Sequence, residues 1–151
     1  MSTLSDGNPV FFDSNALILA FEAGSTWSSA IGLLLSEIEG GKRRGVLSEL
    51  SLGEILVKPL AAGAVAHVAF YESLFSSDGP FDVRTVDRAV IRRSAGLQAD
   101  TGLKLADALL VATAMEAGCR DFLTADVRLG RKLGAGITWL KPEDLPRGDS
   151  R

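Results

Sequence analysis

Asp13, Glu54, Asp107 and Asp126 each stand where an apolar run passes into a helix-forming one. Their settings are VFFDSNALILAF, LSELSLGEILV, LKLADALLVATAMEAG and FLTADVRLGRKL. A lone acid at a helix start is ordinary, because a carboxylate there satisfies orphan N–H groups and the helix dipole. Four such acids in one open α/β fold can converge on a single spot. Clustered carboxylates repel one another and hold protons more tightly unless a cation neutralises them. The pattern therefore suggests a hard divalent metal ion and hydrolytic chemistry.

The rest of the composition narrows the metal. His67 is the one histidine and Cys119 the one cysteine, too few for a usual zinc site. Oxygen ligands remain, and they suit Mg²⁺ or Mn²⁺. A single cysteine also excludes an internal disulfide framework and fits a reducing cytosol. The opening MSTLSDGNP has neither a basic nor an apolar signal region, and no apolar stretch is long enough to span a bilayer, so a cytoplasmic protein without a membrane segment is expected.

With 151 residues, 46% of them hydrophobic and 23% charged, the chain is expected to fold as one globular domain. A net charge of −3 argues against coating nucleic acid through bulk positive charge. Local basic groups remain: Lys42, Arg43 and Arg44; Arg88, Arg92 and Arg93; and Arg128, Arg131 and Lys132. Each is read first as solvated surface.

The elements that must position the acids follow from periodicity and punctuation. Residues 1–8 read as a disordered tail, 9–141 as the domain, and 142–151 as a C-terminal tail. The spacing predicts strands over 9–12, 45–48, 81–86, 120–124 and 137–140. Helices are predicted from Asp13 to Glu22, from a Ser25 or Thr26 cap to the Gly40-Gly41 pair, from Ser51 to Pro59, and over 67–75, 87–99, 105–117 and 127–133. The 105–117 segment is the most apolar helix and so the most buried. Short strands alternating with helices predict an α/β fold, a mostly parallel sheet of four to five strands flanked by helices in three layers. Ligands in such sheets bind beyond the carboxyl ends of the strands, at the switch in strand order. Asp13, Glu54, Asp107 and Asp126 can all line that edge.

Plainer roles stand beside the chemical ones. Asp13 and Asp126 fit N-caps, and Ser51 with Glu54 has capping-box spacing. Asp107, set among Leu103, Leu105, Leu109 and Leu110, is hardest to explain structurally, because burying an unpaired carboxylate is costly. His67 reads as a helix-surface or partly buried residue, Cys119 as a small buried hydrophobe, and Trp27 and Trp139 as packing residues rather than base-stacking platforms.

These same segments resemble the PIN-domain family, most closely its VapC-like ribonuclease toxins. FFDSNALILAF is similar to that family's opening block, SELSLGEILVKP to its second, and GLKLADALLVATAMEAGCRDFLTAD to its third and fourth. The resemblance runs from about residue 9 to 140. It implies a PIN-like fold with Asp13, Glu54, Asp107 and Asp126 surrounding a metal. Asp13, Asp107 and Asp126 would be its direct or water-mediated ligands. Glu54 would act through water or orient the attacking water. Asn15 takes the polar position two after the first Asp, and Thr124 the hydroxyl position two before the last. The chain departs from the family pattern at Gln98, Ala106 and Ala125, where Arg, Pro and Asn are frequent. None of these removes an acid.

The resemblance further implies Mg²⁺- or Mn²⁺-dependent endonucleolytic cleavage of RNA, a cognate antitoxin partner whose C-terminal segment covers the acidic groove, and a homodimer. A catalytically silent PIN-like module that binds RNA or a partner is the alternative. A haloacid-dehalogenase-like phosphatase or a phosphoacceptor receiver fits less well. DSNAL lacks the second Asp those sites need, and no suitable Lys follows the strand-four Thr-Ala-Asp.

Overall fold

The structure, a computed structural model, describes residues 8–22, 28–134 and 136–146. The 1–7 part of the N-terminal tail, the Ser25 or Thr26 cap, Trp27 and the last residues of the C-terminal tail lie outside the described residues. The chain folds as β1 (Val10–Phe12), α1 (Ser14–Phe21), α2 (Ser28–Glu39), β2 (Gly45–Ser48), α3 (Glu49–Ile55), α4 (Val57–Ala61), α5 (Val65–Leu74), β3 (Phe81–Arg84), α6 (Arg88–Thr101), α7 (Leu105–Glu116), β4 (Asp121–Leu123), α8 (Val127–Arg131) and β5 (Thr138–Leu140).

The five strands form one sheet in the order β3-β2-β1-β4-β5. Every pairing is parallel. Alternation along each strand divides the core in two. Val10, Phe12, Leu47 and Leu123 face one side, where α1 and α2 cover them. Phe11, Val46 and Phe122 face the other, under α7 and α8. Phe11 and Phe122 are register partners and stack with ring centroids 5.0 Å apart. The central strands β1, β2 and β4 are buried throughout, as expected of parallel strands covered on both faces, whereas the edge strands β3 and β5 are only partly buried.

The chain winds outward from β1 through β2 to β3, then returns to place β4 on the other flank of β1. The switch in strand order therefore lies between β1 and β4. At that switch the carboxyl end of β1 delivers Asp13, and the carboxyl end of β4 delivers Thr124.

Local sequence accounts for both ends of α6. Asp87 caps α6 by accepting from Val90 N at 3.0 Å, and Gly102 closes it in the left-handed conformation at φ 72°. Pro59 lies within the short helix α4 rather than at the end of α3, and the break falls at Leu56. Lacking an N–H, Pro59 cannot extend the α3 hydrogen-bond ladder. Helix α3 also starts earlier than its sequence suggested. Ser48 is its cap and accepts from Leu50 N at 3.1 Å, so Ser51 is an interior, fully buried residue. After β5, Pro142–Asp144 forms a turn of 3-10 helix, and Leu145 is buried in the α1–α2 core.

Candidate functional site

Asp13 is the residue after β1 and the N-cap of α1, yet beyond its contact with the Ser14 backbone its carboxylate makes no capping hydrogen bond. Its backbone N–H continues the sheet by donating to Leu123 O at 3.0 Å. One carboxylate oxygen, Oδ2, instead accepts from Thr124 Oγ1 at 2.7 Å across the β1–β4 switch. Both residues are buried, Thr124 completely. Burial is the main force that raises the Asp13 carboxyl from its ordinary 3.8 to about 6. The Thr124 hydrogen bond opposes the rise, the negative charge of Glu54 adds to it, a hydrogen bond from the Ser14 backbone opposes it, and the charge of Asp107 adds a little more.

Thr124 has a second task. Its Oγ1 accepts from Asp126 N at 3.0 Å, fixing the turn that leads into α8. Its own carbonyl accepts from Trp139 Nε1 at 3.0 Å, and its N–H donates to Leu140 O at 3.2 Å. Thr124 is thus held from β5 and in turn holds Asp13 and the Asp126 loop. The sequence marked Thr124 only as a hydroxyl position near the site.

Glu54 comes from the last turn of α3. It is exposed, and Ser14 Oγ donates to its Oε1 at 2.5 Å, joining the start of α1 to the end of α3. Since Ser48 caps α3, the expected Ser51–Glu54 capping box does not form. Ser14 is the site residue that sequence reasoning missed. A serine in the first turn after an N-cap looks like any helix-start residue, and only the packing of α1 on α3 gives it a glutamate to hold.

Asp107 lies in the first turn of α7 and is half-buried. The sequence suggested a carboxylate enclosed by leucines, but Leu105 is 56% exposed and the first turn of α7 opens to solvent. A recess places Asp107 beside Lys104, Arg128 and Lys132, and among the described residues it forms no ion pair with them. Asp126 is half-buried and does cap its helix, with Oδ1 accepting from Leu129 N at 3.2 Å. Asn15 is exposed on the first turn of α1 and makes no side-chain hydrogen bond among the described residues.

Asp13, Glu54 and Asp107 thus share an electrostatic neighbourhood, and Asp126 joins Asp13 through the Thr124 hydroxyl. Among the described residues, no three acidic, histidine or cysteine side chains are arranged to hold a metal ion directly. The donor set still suits a hydrated Mg²⁺. That ion keeps several waters and needs only one or two carboxylates, and a cation at Asp13 would offset both the burial that chiefly raises its pKa and the smaller repulsion from Glu54 and Asp107. No described helix is long and apolar enough to cross a membrane.

Known structures share this arrangement of strands and helices. A FitAcB structure from Neisseria gonorrhoeae matches with a TM-score of 0.68 at 18% identity, over 90% of this chain and 99% of that one. A toxin–antitoxin complex from Klebsiella pneumoniae matches at 0.64 and 22%, over 88% and 97%. A sarcin-ricin loop cleaving toxin from Mycobacterium tuberculosis matches at 0.64 and 14%, over 85% and 98%. At these identities the likeness establishes the fold. No curated protein sequence matches the chain. The family model described as PIN domain matches residues 10–133, a span that takes in Asp13, Glu54, Asp107 and Asp126 together with the whole of β1–β4. On that match, supported by the five-stranded parallel sheet, the chain belongs to the PIN domain family.

Proposed function

We propose that this chain is a divalent-metal-dependent endoribonuclease and the toxin of a toxin–antitoxin pair. The observation that carries the reading is Asp13, a carboxylate buried at the β1–β4 switch, held by Thr124 and pressed by the charges of Glu54 and Asp107. Keeping such a group where charge is unfavourable is costly. The cost is understandable where a cation belongs.

Asp13 and Asp107, with Asp126, are the residues to hold Mg²⁺ or Mn²⁺, several of the contacts passing through water. When bound, the ion supplies charge neutralisation at a phosphodiester and a more acidic water. The chain's own residues do the positioning. Thr124 holds the Asp13 carboxylate in place through Oδ2. Ser14 directs Glu54, whose other oxygen can accept a proton from the attacking water and align it. The Asp126 turn is tied to Thr124 through the Asp126 amide, while its carboxylate caps α8 through Oδ1.

The M. tuberculosis protein of similar fold is described as cleaving the sarcin-ricin loop, and the Klebsiella structure is a toxin–antitoxin complex. Both support an RNA substrate and an antitoxin partner here. A homodimer and a cytoplasmic site of action belong to the same reading.

The decisive experiment is cleavage of structured and single-stranded RNA by the purified chain with Mg²⁺, with Mn²⁺ and with excess chelator, in wild type and Asp107→Asn. Metal-dependent cutting that Asp107→Asn loses, while its thermal melt is retained, is the expected result. Cutting that persists in chelator would overturn the reading. RNA binding without cutting under any metal would make the chain a silent binding module.

A further inference from the structure

A polyanion meets a poor surface around Asp13, where the charges of Glu54 and Asp107 add to its own on a chain of net charge −3. Affinity for a phosphate backbone must then come from cations close by. One cavity supplies them. It has a volume of about 400 Å³ and is lined by Thr124, Ala125, Val127, Arg131, Trp139 and Lys141, with Glu143 also on its wall. This volume lies in the range of small-ligand sites. Its floor is the same Thr124–Ala125 loop that holds Asp13 and leads into Asp126. Among the described residues neither Arg131 nor Lys141 forms an ion pair, so both charges are available.

Trp139 decides what the cavity can take. One face of its ring packs against Gly130, where an added Cβ would come within 2.1 Å of ring carbon. Lys141 Nζ lies 4.6 Å from the ring centroid. The indole N–H is already donated to Thr124 O. With the ring packed by Gly130 and engaged by Lys141, a nucleobase has no free stacking platform. What the cavity offers is a guanidinium and an ammonium over a small apolar wall of Ala125 and Val127. That chemistry matches a phosphate with its sugar.

We infer that the Arg131–Lys141 cavity binds a backbone phosphate of the RNA next to the scissile bond, positioning the strand over the acids without reading its sequence. The inference rests on the nuclease reading above. Arg131 and Lys141 would be positioning residues, contacting substrate away from the reacting atoms.

The test uses the full chain and labelled single-stranded RNA oligonucleotides of several sequences. Affinity is followed by fluorescence anisotropy in chelator across a salt series, and cleavage is followed with Mg²⁺. The variants are Arg131→Gln and Lys141→Gln, with Arg92→Gln as control. Arg92 lines a separate groove between α6 and α7 that includes none of the four acids. Each cavity variant is expected to weaken binding by a similar factor for every sequence. Each should also flatten the slope of log Kd against log salt by about 0.7, the value for one phosphate contact on a single strand. KM should rise while kcat is kept, and Arg92→Gln should behave as wild type. Wild-type affinity and salt slope in both cavity variants, with RNA still bound and cut, would overturn the inference alone. So would a loss confined to one sequence, which would mean base readout. Normal RNA binding with lost binding of an acidic polypeptide such as polyglutamate would make the cavity a protein-docking site instead. If the wild-type chain neither binds nor cuts RNA, the nuclease reading fails first and the subsite with it.

Discussion

Thr124 Oγ1 donates to Asp13 Oδ2 at 2.7 Å between residues 111 positions apart in the chain, and both partners are buried. The same oxygen accepts from Asp126 N. One hydroxyl therefore serves two acids, and it exists at the junction because β4 pairs with β1 along their full lengths.

Thr124→Val should be costly. It leaves a buried Asp13 oxygen and the Asp126 amide without their partner, worth about 1–3 kcal/mol of folding stability for the unsatisfied group. Because the Thr124 hydrogen bond lowers the Asp13 pKa, its loss should raise that pKa further. Urea unfolding at pH 7 should show the deficit, and Thr124→Ser should restore most of it. A valine variant as stable as wild type would mean that Oδ2 finds another donor.

Asp13 gives the metal-free chain a signed pH dependence. Its folded carboxyl titrates near 6 and its unfolded one near 3.8. Between those values the folded state binds the proton more tightly, so stability is highest below about pH 4 for this group and falls as pH rises through 6. The shift corresponds to roughly 2–3 kcal/mol at pH 7. Asp13→Asn should abolish that slope in denaturation curves taken from pH 4 to 7. Mg²⁺ should stabilise wild type more at pH 7 than at pH 5, and Asp13→Asn little at either.

Ser14→Ala tests whether the hold on Glu54 matters for chemistry rather than folding. Ser14 is buried but its partner Glu54 is exposed, so the stability change should stay near the worth of one hydrogen bond, about 0.5–1.5 kcal/mol. RNA cleavage should fall about 10- to 100-fold, the usual effect of removing a group that orients a site residue. Ser14→Thr should recover part of it. Unchanged cleavage in the alanine variant would remove Glu54 orientation from the mechanism.

Gly130→Ala should disturb the site from a distance. The new methyl would collide with the Trp139 ring, which lies 2.1 Å from its ideal position. Overpacking of this kind typically costs about 1–3 kcal/mol. Displacing Trp139 should break its bond to Thr124 O and loosen the loop. In a Trp27→Phe background the remaining indole fluorescence should shift to the red, and cleavage should fall with it. A blue or unmoved spectrum with normal activity would separate Trp139 from the site.

Sequence alone determined the fold class and singled out the acids as candidates. Buried parallel strands are largely apolar on both faces, so VFF, GVL and the Phe-Leu of DFL read as strands without tertiary knowledge. Gly102 and Asp87 bound α6 through local backbone chemistry that a few residues specify. The order of Asp13, Glu54, Asp107 and Asp126 was equally legible, because acids at strand-to-helix junctions leave a local signature. Their environments were not. Asp107, read as enclosed, is only half-buried because its neighbours Leu105 and Ala106 in the first turn of α7 are exposed. Ser51, read as a cap, is interior because β2 runs directly into α3 at Ser48. Ser14 reaches Glu54 only because α1 packs on α3, and Thr124 reaches Asp13 only because β4 returns to the free flank of β1. Burial and hydrogen bonding between distant segments depend on strand order, which no local pattern encodes. Side-chain type is written in the chain, whereas the desolvation that sets an acid's proton affinity arises only when the layers close.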